Sequence, residues 1–177
     1  GWPDLPKSLT PYGPLVETDD GTLLRFLLGG VKEEGSRFTD VRTWSATHCK
    51  AFGIRSVDGG KSWSVSKRFG DEVRQINVHP QDSNQVYVGL TNKGLNKSAD
   101  GGATWYAITP DTVKYEGASK FRAMVYAPAT GNSFILATGY GLFKTINGGD
   151  SWEPLKLVTA PGEIKIYGLA VNPKDSN

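Results

Sequence analysis

Apolar and polar residues alternate over short stretches of this chain, which is the pattern of half-buried β-strands. No segment carries a sustained apolar stripe with the 3.6-residue period of an amphipathic helix, so we expect almost no helix. The stretches end at turn-forming residues such as Asn92-Lys93-Gly94. We expect four strands in each of two consecutive units, at 75–79, 85–90, 94–98 and 105–108, and then at 123–126, 133–138, 141–145 and 152–155.

One motif occurs three times, with the pattern Ser/Thr-x-Asp/Asn-Gly-Gly-x-Ser/Thr-Trp. Its tryptophans are 42 and 47 residues apart, a spacing that suits one four-stranded β-propeller blade. The defining residues of the copies are Ser56, Asp58, Gly60 and Trp63, then Ser98, Asp100, Gly102 and Trp105, and finally Thr145, Asn147, Gly149 and Trp152.

A second motif keeps nearly the same step. Its prolines, Pro80, Pro128 and Pro173, are 48 and 45 residues apart. We therefore expect one partial β-propeller domain over 1–177, an all-β piece of a larger propeller with about three complete blades of four antiparallel strands. The expected parts are a blade edge at 1–11, blade units at about 12–68, 69–110 and 118–158, and the start of a further blade at 163–177.

The motif residues suit an architectural role. An Asp or Asn oxygen can accept backbone N–H groups of its own turn, and a glycine pair can adopt the positive φ angles that a side chain would penalise. The tryptophan should pack under the turn or between blades. Asn147 fits this role but fits poorly with a metal ligand or an acid/base catalyst.

These motifs resemble the Asp-box (BNR) repeat family, and the resemblance spans roughly residues 12–177. The family includes sialidases, endoglucanase-type glycoside hydrolases, sortilin-like receptors and photosystem-assembly factors. The resemblance implies a β-propeller. It leaves the activity open, because the repeat occurs in enzymes and non-enzymes alike.

Composition removes several other classes of function. The chain has 20 basic and 18 acidic residues, without the concentrated basic patch that nucleic-acid binding requires. The single cysteine excludes an internal disulfide and a Cys-rich metal site, and we expect no metal or cofactor. No apolar stretch approaches the ~18 residues that favour a transmembrane helix, so we expect no membrane insertion.

The first unit is longer than the others and carries a charged insertion at 29–50. Its order resembles the opening blade of a sialidase, which implies that Arg37, Asp40 and Arg42 are candidate catalytic-site residues. Sialidases bind the substrate carboxylate with arginines. The family's Arg-Ile-Pro motif should fall near Tyr12-Gly13-Pro14, where its arginine is absent.

Exposed aromatic residues on the longest connections are candidates for binding a ligand. Trp44 and Phe38 lie in the insertion, and Tyr115 lies in the segment 109–120. Such rings can stack on sugars, although packing of the loops themselves is the simpler interpretation.

Two functional hypotheses follow. The first is a non-catalytic recognition or assembly propeller that binds a protein or glycan on its face or rim loops and contacts the remainder of its own propeller. The alternative is the N-terminal part of a sialidase-type glycoside hydrolase. The Asp-box resemblance further implies an extracytoplasmic location, secreted or periplasmic.

Overall fold

The computed structural model describes residues 9–30, 49–127, 131–163 and 165–172. These residues form β-strands and contain no helix. The strands, in chain order, are β1 (Leu9–Glu17), β2 (Leu23–Gly30), β3 (Cys49–Ser56), β4 (Ser64–Arg68), β5 (Val73–His79), β6 (Asp82–Leu90), β7 (Gly94–Ser98), β8 (Tyr106–Ala107), β9 (Phe121–Tyr126), β10 (Phe134–Thr138), β11 (Leu142–Thr145) and β12 (Glu153–Pro154).

The strands form three four-stranded antiparallel sheets, each built from consecutive strands. Sheet 1 contains β1–β4, sheet 2 contains β5–β8 and sheet 3 contains β9–β12. The predicted all-β architecture of four-stranded antiparallel units is confirmed. Every sheet is a simple meander, so each needs only short turns between its neighbouring strands.

One expected boundary differs from the structure, and another stays a prediction. The insertion is shorter than predicted, because Gly29 pairs with Lys50 and Gly30 pairs with Cys49 at the end of the β2–β3 ladder. Residues 165–172 form no strand in the structure, and Tyr167 is 87% exposed. The start of a further blade at 163–177 stays a prediction.

The core lies between the sheets. Val86 and Val88 of β6 pack toward Leu24 and Phe26 of sheet 1, whereas Tyr87 belongs to the cluster shared with sheet 3. This is the two-residue alternation that places successive side chains on opposite faces of a sheet. Sheet 2 is therefore buried on both faces.

Sheets 2 and 3 approach closely because of one glycine. A Cβ atom at Gly89 would lie 2.3 Å from ring atoms of Phe121, so only glycine fits beneath that ring. On the first strands of the two sheets, the Gln75 side-chain amide both donates to the carbonyl of Met124, at 2.9 Å, and accepts from its N–H, at 3.0 Å. The amide thus acts as a peptide group that joins β5 to β9.

Candidate functional site

The three motif copies form the turns β3–β4, β7–β8 and β11–β12, and the Asp or Asn organises each turn. In the first turn, Asp58 Oδ1 accepts the backbone N–H of Ser62 at 2.9 Å and the hydroxyl of Ser56 at 2.8 Å. The hydroxyl oxygen of Ser56 in turn accepts the N–H of Gly60 at 2.9 Å. The second turn repeats these bonds around Asp100, with Thr104 as the donor at 2.8 Å. The side-chain oxygens of Asp58 and Asp100 thus accept their hydrogen bonds from donors within their own turns.

The third turn shows that a carboxylate is not needed for this geometry. Asn147 Oδ1 accepts the N–H of Ser151 at 2.9 Å and the hydroxyl of Thr145, also at 2.9 Å. The only reversal is at the second oxygen position, where the Asn147 amide donates to the Ser151 hydroxyl at 2.8 Å. A side-chain oxygen in this position is sufficient, and its charge is dispensable.

Hydrogen bonding within the turns stabilises the ionised carboxylates. Bonds from the hydroxyl and the N–H of Ser62 lower the pKa of Asp58 from 3.8 to about 2. Partial burial acts to raise the pKa of Asp100, but the bonds from Thr104 outweigh it, and the pKa lies below its ordinary value. Both groups are anions at neutral pH, which makes them poor candidates for a general acid.

The motif turns of sheets 2 and 3 each also accept a hydrogen bond from a cationic side chain of the preceding sheet. Arg55 Nε donates to the Gly101 carbonyl at 3.1 Å, and Lys97 Nζ donates to the Gly148 carbonyl at 3.4 Å. Arg55 and Lys97 each directly precede the Ser of their own motif, so this contact repeats from one junction to the next. Lys144 holds the equivalent position in sheet 3.

The opposite end of the sheets carries connections of unequal length, which we call the loop rim. It comprises the β6–β7 turn at 91–93, the β10–β11 turn at 139–141, and the connections 108–120 and 155–163 that follow β8 and β12. In an antiparallel meander these segments leave the sheets at one end, and the motif turns leave at the other.

A cavity of about 290 Å³ opens on this rim beside the β10–β11 turn. Much of the cavity is bordered by the segment 155–162, which we call the arch. Two backbone hydrogen bonds fix the arch: the N–H of Leu155 donates to the Leu142 carbonyl, and the N–H of Gly162 donates to the Tyr140 carbonyl, both at 2.9 Å. The side chains around the cavity are those of Tyr140, Pro154, Leu155, Lys156, Leu157, Thr159 and Pro161.

Tyr140 is the aromatic side chain of this cavity, and its neighbours fix its position. Its ring stacks on Phe143 with centroids 5.4 Å apart, and Tyr115 meets it edge-on at 5.1 Å. Tyr115 reaches it because the preceding connection lies against the β10–β11 turn, where the Gly139 N–H donates to the Lys120 carbonyl at 2.8 Å. Aromatic groups packed in this way present a rigid surface.

In sheet 2, the space beside the equivalent turn is occupied by Thr109. Lys93 and Gly94 there correspond to Tyr140 and Gly141, and a Cβ atom at Gly94 would lie only 2.1 Å from Thr109 Oγ1. At Gly141 the nearest atom to such a Cβ is Leu157 Cδ1 at 3.4 Å. The packing at this turn therefore differs between sheets 2 and 3, and the cavity is not repeated in the same form beside Gly94.

The sequence-predicted binding residues are placed as follows. Tyr115 is half-buried, and the edge of its ring packs against the ring of Tyr140. The others, Arg37, Phe38, Asp40, Arg42 and Trp44, lie outside the described residues.

Sequence reasoning missed Tyr140 and Lys156 as candidate site residues. The available signal was a departure from the repeat, since Gly139-Tyr140 replaces Asn92-Lys93 between a threonine and a glycine that both turns share. The inter-sheet bonds of Arg55 and Lys97 were missed as well.

Within the ranges that the structure describes, no group of three or more His, Cys, Asp or Glu residues is arranged to hold a metal ion. In the same ranges there is no helix long and apolar enough to span a membrane.

Solved structures with a similar fold are β-propeller proteins. The GH74 enzyme of Niastella koreensis is 16% identical, with a TM-score of 0.50 over 80% of this chain and 22% of that chain. The GH74 xyloglucanase of Xanthomonas campestris is 18% identical, with a TM-score of 0.49 over 74% of this chain and 21% of that chain. YCF48 bound to D1 peptide is 18% identical, with a TM-score of 0.42 over 62% of this chain and 37% of that chain.

At these identities the likeness concerns the fold alone. The matches cover only 16–22% of the length of the GH74 chains. The fold class is that of a β-propeller, and the three sheets are consistent with part of a larger one. The sequence matches no known protein-family model and no curated protein.

Proposed function

We propose that this chain belongs to a non-catalytic recognition or assembly propeller that binds a protein or a glycan through its loop rim. The observation that carries the proposal is the cavity beside Tyr140, where one repeat departs from a packing that its neighbour keeps. In a repeat protein the shared features maintain the stack, and a local departure is free to serve binding.

The proposal includes the interpretation of the motifs as Asp boxes with a purely architectural role. The hydrogen bonds of the turns support it, because Asp58 and Asp100 are fully engaged within their own turns. Asn147 supports it too, since it reproduces the turn without a carboxylate.

The rim has the character of a small-ligand or peptide site. Its cavity is close to the lower end of the usual range for ligand pockets, which is about 300 Å³. Aliphatic and aromatic side chains surround it, together with a few polar groups that would orient a ligand. We place this binding outside the cytoplasm, on the basis of the Asp-box resemblance.

Binding and hydrolysis are separated by one set of assays. The full chain is screened against a glycan array and a peptide library, and the binding of any hit is compared between wild type and Tyr140→Ala. We expect at least a tenfold loss of affinity, because removal of a central aromatic contact typically has an effect of about 2 kcal/mol. Lys93→Ala, at the matching turn of sheet 2, is the control and should bind normally.

The same protein is assayed for turnover of a fluorogenic sialoside, which tests the alternative based on Arg37, Asp40 and Arg42. We expect no turnover. Turnover that is lost in Arg37→Ala, without any binding that depends on Tyr140, would replace the recognition proposal with the hydrolase hypothesis.

A further inference from the structure

We propose that the cavity beside Tyr140 takes a short peptide segment with apolar side chains and one acidic residue, the acidic residue pairing with Lys156. This inference rests on the proposed function and narrows its choice between protein and glycan. It is drawn from the chemistry of the side chains around the cavity.

The polar groups of the cavity favour a carboxylate ligand. Lys156 can only donate hydrogen bonds, and the hydroxyls of Tyr140 and Thr159 can donate or accept. Among the described residues that surround the cavity, no Asp, Glu, Asn or Gln is present. Several sugar hydroxyls would each need acceptors as well as donors, whereas a carboxylate needs donors alone.

A second cation lies on the same aromatic cluster. Lys114 Nζ lies 5.2 Å from the ring centre of Tyr115, which itself contacts Tyr140. Asp111, Glu116 and Glu163 are exposed on the same connections, but none of them borders the cavity. Lys156 is thus the charged side chain that borders the cavity, and it is suited to pairing with an acidic side chain of a ligand.

The apolar groups favour a peptide over a sugar. Pro154, Leu155, Leu157 and Pro161 form most of the wall around Tyr140. Val158, at the middle of the arch, is fully exposed, and a large apolar side chain held in water beside a cavity is characteristic of a contact surface.

Val113, in the preceding connection, is 95% exposed and lies in the same connection as Tyr115. Exposed valines thus occur in both connections that contribute to the site. A bound peptide could bury Val158 while its own apolar side chain entered the cavity.

The test starts with selection from a phage-displayed library of linear dodecapeptides on the wild-type chain, with counter-selection on Tyr140→Ala. The selected peptides should combine Leu, Ile, Val or Pro with Asp or Glu. One of them is then synthesised with a fluorescent label, and its affinity is measured by anisotropy.

Four variants define the expected result. Tyr140→Ala and Lys156→Glu should each weaken binding of the labelled peptide by about tenfold or more. Lys156→Arg should keep most of the affinity, and Lys93→Ala should leave it unchanged. Replacing the acidic residue of the peptide by its amide should weaken binding to wild type but strengthen binding to Lys156→Glu, because in that variant the amide removes the repulsion between two carboxylates.

Several results would overturn the inference. Selection that yields no peptide dependent on Tyr140 contradicts it, and so does a peptide whose affinity is indifferent to Lys156→Glu. A glycan that binds the wild-type chain and loses affinity in Tyr140→Ala would also overturn it, but would leave the recognition function standing. Only the absence of every ligand on peptide and glycan libraries would remove both. Each variant is first checked for an unchanged unfolding midpoint, so that a lost affinity is not a lost fold.

Discussion

The two ends of the sheets differ in how strictly they repeat. At the motif end, the second and third turns make the same contacts: Gly101 and Gly148 donate to the carbonyls of Asn84 and Asn132, at 3.0 and 2.8 Å. At the loop rim, the matching turns of sheets 2 and 3 differ in residue type and in packing. A contact that recurs at each junction belongs to the architecture, and a position where the repeats diverge is where function can be sought.

Removing the tryptophan of the second turn should have the largest effect on the repeating end. The ring of Trp105 lies edge-on to Phe26 and Phe69, with centroids 6.0 and 5.4 Å away, and Trp105 Nε1 donates to the Gly102 carbonyl at 3.0 Å. We expect Trp105→Ala to lower the free energy of unfolding by about 3–5 kcal/mol, measured by urea denaturation. A loss below about 1 kcal/mol would show that the ring does not hold sheets 1 and 2 together.

Glycine substitution separates strain from crowding at the same turns. Gly102 has a φ of +81°, and a Cβ atom there would lie 2.5 Å from Leu24 Cδ2. Gly59 has a similar φ of +68°, but a Cβ atom there would have nothing within 4 Å.

We therefore expect Gly102→Ala to destabilise the chain by about 2–4 kcal/mol and Gly59→Ala by about 1 kcal/mol. The two losses are compared by the same denaturation method. Equal losses would mean that sheet 1 does not press on the second turn.

The inter-sheet cation should have a smaller effect. Lys97→Met removes one of two donors to the Gly148 carbonyl, and the hydroxyl of Tyr87 still donates to that carbonyl at 3.4 Å. We expect a loss of about 1 kcal/mol in the free energy of unfolding. Lys144→Met is the matched control, because Lys144 holds the same position before its motif in sheet 3. A larger effect at Lys144 than at Lys97 would contradict the assigned role of the cation.

The smallest expected effect is on the pH dependence of stability. The pKa of Asp58 is lowered on folding from 3.8 to about 2, so its stabilising contribution is complete above pH 4 and is lost as the pH falls toward 2. Asp58→Asn should therefore make the unfolding midpoint less sensitive to pH within that window. The reverse change, Asn147→Asp, should add sensitivity to acid. Thermal melts between pH 2 and 5 measure both, and an unchanged slope in Asp58→Asn would contradict the assignment.

The sequence was sufficient to predict the β architecture and most strands, because turn residues are local. The expected strand 94–98 matches β7, and the expected strand 141–145 differs from β11 by one residue. The partners of Arg55 and Lys97 were not predictable in this way, since each cation reaches a carbonyl on another sheet.

The candidate site was harder to predict for a similar reason. Tyr115 was identified as an aromatic residue on a long connection, but its support of Tyr140 depends on how that connection folds back on sheet 3. Tyr140 lies between two glycines in a short turn, and such a turn carries no sign of a cavity beside it. Only comparison with Lys93, at the same place in the preceding repeat, would have indicated it.

The central claim is that the motif turns maintain the fold and that the loop rim binds the ligand. The most direct test measures the unfolding free energy and the affinity for a selected ligand in Asp100→Asn and Tyr140→Ala. We expect Asp100→Asn to change both quantities little, because Asn147 already serves in the third turn, and Tyr140→Ala to reduce affinity while the fold persists. Loss of binding or of an enzymatic activity in Asp100→Asn, with stability unchanged, would contradict the claim.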